Sequence, residues 1–247
     1  MKNVVVSKSA EIDVSSDTQI TIPDDSELRI VFRPKKESKI ELKIGRRCDV
    51  CTIIISDQKC SIKQDNFVGE NSIVHSYGVW KSAASGEIVN HLIGENSQAY
   101  DLHIFSENED KKLALNSILR HANKNTKGNI AVRGIVDDSA WVKLDGMIKI
   151  EKNGAGAESF LTQNVILLNS KAHATANPEL EIENNDVSSR HAASIAQIDE
   201  EKIFYLMSRG VSRNDARELI VNGFLEAVVE KIENEEIRKV ISEIVVK

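Results

Sequence analysis

The chain contains the polar tetrapeptide Gly69-Glu70-Asn71-Ser72 and repeats it 25 residues later as Gly94-Glu95-Asn96-Ser97. Such segments are typical of tight corners, because Gly, Asn and Ser tolerate left-handed backbone geometry or form side-chain turns. Looser versions follow at residues 138–140, 169–172 and 184–186. A polar corner that returns along a strand-rich chain favours a solenoid, in which each coil pairs with the next.

The segments around these corners alternate apolar and charged side chains. The clearest example is Lys39-Ile40-Glu41-Leu42-Lys43-Ile44, and similar runs occupy residues 142–145, 148–151 and 179–183. A period of two indicates a strand with one buried face. A two-sheet sandwich would show the same period, so the alternation leaves both architectures open and the repeated corner favours the solenoid. Residues 111–125 also contain apolar residues at helical spacing, but we interpret them as strand and loop.

The composition favours strands and a soluble chain. Ile and Val together number 51 of 247 residues, whereas Phe, Trp and Tyr number 11, and β-branched side chains suit strands. The net charge of −6 argues against nucleic acid as a partner, since phosphate binding needs a local excess of Lys and Arg. No apolar run approaches the ~18 residues of a membrane span, and the first residues lack the apolar core of a secretory signal. We therefore predict a cytoplasmic protein with no membrane partner.

The pattern changes from strand to helix at Asp199. Acidic residues begin a first helix there, and Gly210 is a natural end for it. Ser212 with Asp215 predicts the start of a second helix, and Asn234 predicts the start of a third. The sequence thus predicts a β core over residues 1–198 and a helical region over residues 199–247.

Few motifs in the sequence point to chemistry. Cys48 and Cys51 are three residues apart, and on a strand this spacing places their side chains on opposite faces. The two thiols could therefore not easily bind one metal ion, and Cys60 is a third thiol nearby. The odd number of cysteines suits a reducing compartment. The six histidines form no metal-binding pair, and neither a nucleophile elbow nor a phosphate-binding loop is present. Nothing here requires an enzyme, and the identity of any metal ligand stays open. One alternative is a β-helix lyase or hydrolase acting on polysaccharide, which would need carboxylates on adjacent coils.

Two blocks of sequence resemble the SufB/SufD family of iron–sulfur cluster assembly proteins. The first runs from Asn177-Pro178-Glu179-Leu180-Glu181-Ile182 into the segment 185–199, which includes Ser189-Arg190-His191-Ala192-Ala193-Ser194. The second contains Phe204-Tyr205-Leu206-Met207-Ser208-Arg209-Gly210 and ends at Gly223-Phe224. Residues 133–150 add support, and the resemblance fades before residue 100.

This resemblance implies a fold and a set of partners. The family fold is a right-handed parallel β-helix followed by a small α-helical region. Family members act as non-catalytic scaffolds that bind an ABC-type ATPase, SufC, through that helical region. A SufB and a SufD subunit pair through their β-helices, so the resemblance implies a SufB-like paralogue as partner; an alternative for this chain is pairing with an identical chain in a homo-oligomeric scaffold. The positions that match the helical motif are the expected ATPase-binding residues: Phe204, Tyr205, Arg209, Gly210 and Arg217.

The resemblance also implies where cluster assembly takes place, but only some of the family's functional residues have a matching residue in this chain. His191 matches a histidine implicated in cluster assembly at the junction of two β-helices, although it also has a purely structural interpretation. Where SufB has a cluster-holding cysteine, this chain has Gln163, and acidic SufB positions are replaced by Arg190 and Ala192. Iron and sulfide need thiolate or carboxylate ligands. The chain is therefore expected to resemble SufD, to bind no cofactor tightly by itself, and to share a transient iron–sulfur cluster with its partner.

Overall fold

A computed structural model describes residues 1–82 and 84–245 of the chain. Within these residues the chain forms sixteen strands followed by three helices, and the strands build two parallel eight-stranded sheets. Because the chain alternates between the sheets, the architecture is a parallel β-helix, as the sequence predicts. The predicted helical region ends at residue 247, and its last two residues lie outside the described part of the chain.

The odd-numbered strands form the first sheet, here called sheet A. In spatial order these are β1 (Lys2–Val5), β3 (Thr18–Ile22), β5 (Ser38–Ile44), β7 (Cys60–Val68), β9 (Ala84–Leu92), β11 (Lys112–His121), β13 (Trp141–Ile150) and β15 (His173–Ile182). Strand β11 confirms the interpretation of its segment as strand rather than helix.

The even-numbered strands form the second sheet, sheet B. In spatial order these are β2 (Ala10–Val14), β4 (Glu27–Pro34), β6 (Asp49–Ser56), β8 (Ile73–Trp80), β10 (Gln98–Glu107), β12 (Lys127–Val136), β14 (Ala157–Leu167) and β16 (Val187–Gln197). The last coil, β15 with β16, therefore ends both sheets.

The repeated tetrapeptide forms a stacked corner of the solenoid. Asn71 and Asn96 have φ angles of 55° and 58°, and equivalent left-handed residues occur in neighbouring coils. The Asn71 N–H donates to the Glu95 carbonyl at 3.0 Å, and the Asn96 side-chain amide donates to Asn71 Oδ1 at 3.0 Å. The corner thus continues the hydrogen bonding between coils beyond the ends of the strands.

Aliphatic and aromatic side chains fill the space between the sheets, but polar groups lie among them. Asn66 donates to Asn90 Oδ1 at 2.8 Å, and Asn90 donates to both carboxyl oxygens of Asp101 at 2.8 Å. Gln64 donates to Asn66 Oδ1 at 2.9 Å, so the four side chains form one buried chain. Burial raises the pKa of Asp101 to about 7, although the hydrogen bonds from Asn90 and Ser76 oppose this shift.

The three helices are α1 (Glu200–Ser208), α2 (Arg213–Val229) and α3 (Glu235–Val245). The predicted starts are confirmed: Asp199 and Ser212 cap the first two helices, and Asn234 accepts a hydrogen bond from the Ile237 N–H. Helices α2 and α3 pack on the outer face of sheet B through an apolar cluster that includes Leu225 and Ile241. Within the described residues, no helix has the length and apolar character needed to cross a membrane.

Candidate functional site

Helix α1 follows directly after the last strand of the β-helix. Asp199 begins it by accepting a hydrogen bond from the Lys202 N–H at 3.0 Å, which holds the pKa of Asp199 below its usual value. At the other end, the Gly210 N–H donates to the Met207 carbonyl and the Val211 N–H donates to the Leu206 carbonyl. These two bonds form a Schellman motif, and Gly210 supplies the left-handed φ of 89° that this motif requires.

One side of α1 is buried and the other is open to solvent. Ile203 is buried against Ala216 of α2 and the end of sheet B. On the open side, Phe204 is 73% exposed and Tyr205 is 56% exposed. The Arg209 guanidinium lies 5.3 Å from the centre of the Tyr205 ring. Exposed large apolar side chains beside an arginine are typical of a protein-binding surface.

The structure groups four of the five predicted ATPase-binding residues at α1 and separates the fifth. Arg217 lies on α2, and its guanidinium donates to Asp137 Oδ2 at 2.8 Å. This ion pair fastens α2 to the β-helix, so Arg217 is occupied within the chain. Its role in binding a partner stays a prediction.

His191 lies on β16 in the last coil and is exposed. It pairs in register with Leu161, a fully buried residue of the interior core, so it belongs to the row of side chains that faces the inside of the solenoid. It is open to solvent because β16 ends sheet B. Ile182 and Ile195 are also exposed in this coil, at 43% and 39%. The coil therefore presents two uncovered strand edges with apolar groups, an arrangement that usually pairs with another chain unless it is protected.

The cysteines lie away from this end of the molecule. Cys48 belongs to the interior core and Cys51 to the cluster beneath the helices, so they face opposite ways as their spacing predicts. All three thiols are free and buried. No group of three or more metal-ligating side chains occurs within residues 1–82 and 84–245. Gln163 is fully buried, and its amide has no hydrogen-bond partner among the described residues.

Sequence reasoning missed two features of the helical region. Leu219 has helical spacing with the buried residues of α2 but is 56% exposed. Arg133 lies 4.7 Å from the Phe224 ring and donates to the Phe224 carbonyl at 2.9 Å, which ties α2 to β12. The motif Gly223-Phe224 marks one side of this contact in the sequence, but Arg133 lies 91 residues away from Phe224, so the sequence did not connect the two.

Comparisons with known proteins identify one family. The family described as SUF system FeS cluster assembly, SufBD core domain, matches residues 40–224. The similarity therefore extends further toward the N-terminus than the residues that carry the resemblance in the sequence, and the expectation that it fades before residue 100 was wrong.

Individual relatives agree with this match. The iron–sulfur cluster assembly protein SufD of Bacillus subtilis is 30% identical over 204 residues, which are 83% of this chain and 39% of that protein. SufB of the same organism is 28% identical over 141 residues, 57% of this chain and 30% of that protein. A SufBD family protein of Galdieria sulphuraria is 31% identical over 137 residues, 56% of this chain and 62% of that protein. This chain thus spans well under half the length of the two Bacillus relatives. With three quarters of its residues matched, the chain belongs to the SufB/SufD family of SUF-system iron–sulfur cluster assembly proteins.

Proposed function

We propose that the chain is a SufD-like, non-catalytic scaffold subunit of a cytoplasmic SUF-type complex. In this proposal α1 binds a SufC-like ABC ATPase, and the last coil of the β-helix pairs with a SufB-like paralogue or with a second copy. The observation that carries the proposal is the open side of α1, where Phe204 and Tyr205 are exposed on a helix whose other side is anchored by Ile203. A surface helix fixed in this way can receive a partner without rearranging the core.

The position of α1 supports a mechanical role for the ATPase. Only Ile198 and Asp199 separate β16 from α1, and the Ile203 contacts join the helix to the end of sheet B. A partner that moved α1 would therefore move the last coil with it. Two such scaffolds could then be displaced as rigid bodies by closure of the ATPase.

The exposed last coil supports the pairing part of the proposal. Strands β15 and β16 end the two sheets, and His191 lies among their exposed residues. Pairing with another chain would cover both edges and place His191 at the junction. In this proposal the cluster is cargo that assembles at the junction, with thiolate or carboxylate ligands supplied mainly by the partner.

ATPase binding is tested by mixing the chain with its SufC homologue and measuring affinity by calorimetry. We expect Phe204→Glu to weaken binding by ~30-fold or more, since it places a charge in the centre of the contact. Ile93→Glu is the matched control, because Ile93 is also apolar and 50% exposed but lies at a corner of the β-helix. Absence of binding by the parent chain would reject the proposal, as would equal affinities for the two variants.

The role of His191 has a separate test. The His191→Ala variant should keep the thermal stability of the parent, since the side chain is exposed and has no hydrogen bond within the described residues. It should lower the amount of cluster formed during anaerobic reconstitution with a partner, read by absorption spectroscopy. Normal cluster yield would reject a role of His191 in cluster assembly, and a large loss of stability would assign it a structural role instead.

A further inference from the structure

A groove on the outer face of sheet B has no part in the function proposed above. It has a volume of about 880 Å³ and lies where the connection between α2 and α3 passes over strands β6, β8 and β10. Its floor contains Cys51, His75, Tyr77 and Tyr100, and residues 231–237 line the opposite side. The groove therefore combines a rigid floor built on strands with a wall made by a loop and the start of a helix.

Three aromatic rings form the floor. The His75 and Tyr100 rings lie 5.4 Å apart with an angle of 20° between their planes, and the Tyr77 ring lies 6.4 Å from His75 at 8°. His75 and Tyr100 are register partners on adjacent strands, so their rings stack along the axis of the solenoid. Burial lowers the pKa of His75, which keeps its imidazole neutral near pH 7. Tyr100 has one face against His75, and the next register position beyond its other face holds the short side chain of Asn129.

Tyr77 contributes a polar group that the fold itself does not use. The residue is 9% exposed and lines the groove, and its hydroxyl has no hydrogen-bond partner among the described residues. Burial raises the pKa of this phenol above its usual value, so it remains protonated. Tyr77 Oη is not one of the fully buried atoms without a partner, so the hydroxyl opens into the groove, where a ligand group or water can pair with it.

The groove is also acidic. Asp49 and Glu233 are both exposed at its edge, and neither forms an ion pair or a side-chain hydrogen bond within residues 1–82 and 84–245. Their charges act on the aromatic floor, since both raise the pKa of His75 and oppose the effect of burial. Arg29 is occupied by Glu236 at 3.0 Å, and this pair joins β4 to α3 along one side. Lys231 also lines the groove with one positive charge, but Glu27, Asp49 and Glu233 carry three negative charges, so the lining charges outside the Arg29–Glu236 pair still favour a cation.

The chain itself shows how a cation fits such rings. Tyr100, Asn129, Phe160 and Arg190 occupy one row of register positions on the outer face of sheet B. In that row the Arg190 guanidinium lies 5.0 Å from the centre of the Phe160 ring. The equivalent position beside Tyr100 holds Asn129, which is too short to cover the ring. A guanidinium is planar, stacks on aromatic faces and forms paired hydrogen bonds with carboxylates.

We propose that this groove binds a guanidinium group presented by an arginine side chain of a partner protein. The group stacks on the free face of Tyr100 and donates hydrogen bonds to Glu233, while Asp49 adds negative charge at the far edge of the groove. Lysine carries the same charge but lacks the plane, so it cannot make both kinds of contact. The site is separate from α1 and does not depend on ATPase binding.

The test uses the whole chain and N-acetylarginine methylamide, which represents an arginine within a polypeptide. Aromatic NMR resonances of His75, Tyr77 and Tyr100 are followed during titration, and we expect saturable shifts at millimolar concentrations. N-acetyllysine methylamide should bind at least threefold more weakly. Equal binding of the two compounds, or no saturable shift, would overturn the proposal. Free L-arginine is a third probe, and binding tenfold tighter than that of the blocked compound would assign the groove to the free amino acid and overturn the partner-protein assignment.

Two variants locate the binding. Glu233→Gln should weaken arginine binding about threefold, the loss expected for one exposed charged pair. Glu230→Gln makes the same charge change at the end of α2 but lies outside the groove, and it should leave binding unchanged. Equal effects of the two variants would show that net charge alone attracts the probe and would reject the site.

Discussion

Replacement of Asp101 by Asn should change how the stability of the β-helix depends on pH. Asp101 is 4% exposed, and burial raises its pKa to about 7 from an ordinary value of 3.8. The folded chain therefore keeps a proton on Asp101 between about pH 4 and pH 7, where the unfolded chain loses it. Since the folded state binds more protons in this range, stability falls as pH rises through it.

The size of the effect follows from the two pKa values. One pKa unit corresponds to 1.36 kcal/mol, so the whole penalty for ionising buried Asp101 is about 4 kcal/mol. Between pH 5 and pH 8 the parent should lose about 2–3 kcal/mol of unfolding free energy through this group. The Asp101→Asn variant has no such loss, because its neutral amide still accepts a hydrogen bond from Asn90 at either pH.

The assay is urea denaturation at pH 5, 6, 7 and 8, read by circular dichroism for the parent and the variant. Subtracting the two curves removes the contribution of other titrating groups. Asp145→Asn is a control of opposite sign, since hydrogen bonds from Asn177 and Lys143 lower the pKa of Asp145 despite partial burial. The ionised carboxylate of Asp145 stabilises the fold at every pH above its ordinary pKa. The Asp145→Asn variant should therefore show no gain in unfolding free energy over the parent at pH 8. Parallel pH profiles for the parent and Asp101→Asn would refute the reasoning.

Two further predictions concern packing and thiol chemistry. Gly134→Ala should destabilise the chain by about 1–3 kcal/mol, because its new methyl group meets the Phe105 ring. Gly223→Ala should stabilise the chain by about 0.5–1 kcal/mol, because Gly223 lies in α2 with open space around it. Denaturation midpoints will compare the two, and a stable Gly134→Ala variant would contradict the interior packing. Burial raises the pKa of Cys51 to about 12, so iodoacetamide at pH 8 should modify it at least ~100-fold more slowly in the folded chain than in urea. Mass spectrometry will locate the label, and rapid modification of folded Cys51 would show that the thiol is accessible as thiolate.

The repeated corner favoured a solenoid over a two-sheet sandwich, and the resemblance to the SufB/SufD family specified the parallel β-helix. Both copies of the tetrapeptide place a left-handed residue, Asn71 or Asn96, in a short local segment, and local segments of this kind can be recognised without knowing their partners. The helix starts were predictable for the same reason, since Asp199 and Ser212 cap helices through bonds to residues three positions away.

The buried polar chain and the aromatic groove were not predictable from the sequence. Asn66 and Asp101 occupy interior positions that alternation alone would assign to apolar residues, and each is satisfied by Asn90 on another strand. Likewise, His75 and Tyr100 meet only because the register between β8 and β10 places them side by side. Both features depend on which residues share a row across coils, and coil lengths vary too much for the sequence to fix that register.

The anchoring of the helical region explains how an event at α1 would reach the end of the β-helix. Ile203 fastens α1 to α2, while Arg217 with Asp137 and Arg133 with Phe224 fasten α2 to β12 of sheet B and to the turn that follows it. These contacts join both helices, α1 and α2, to the same sheet, so α1 has no freedom to move alone without breaking at least one of them. A force applied to the exposed side of α1 is therefore transmitted to the last coils, where parallel strands joined by continuous hydrogen bonding resist bending. If the ATPase proposal is correct, the mobile joint must lie between two scaffold chains rather than inside this one.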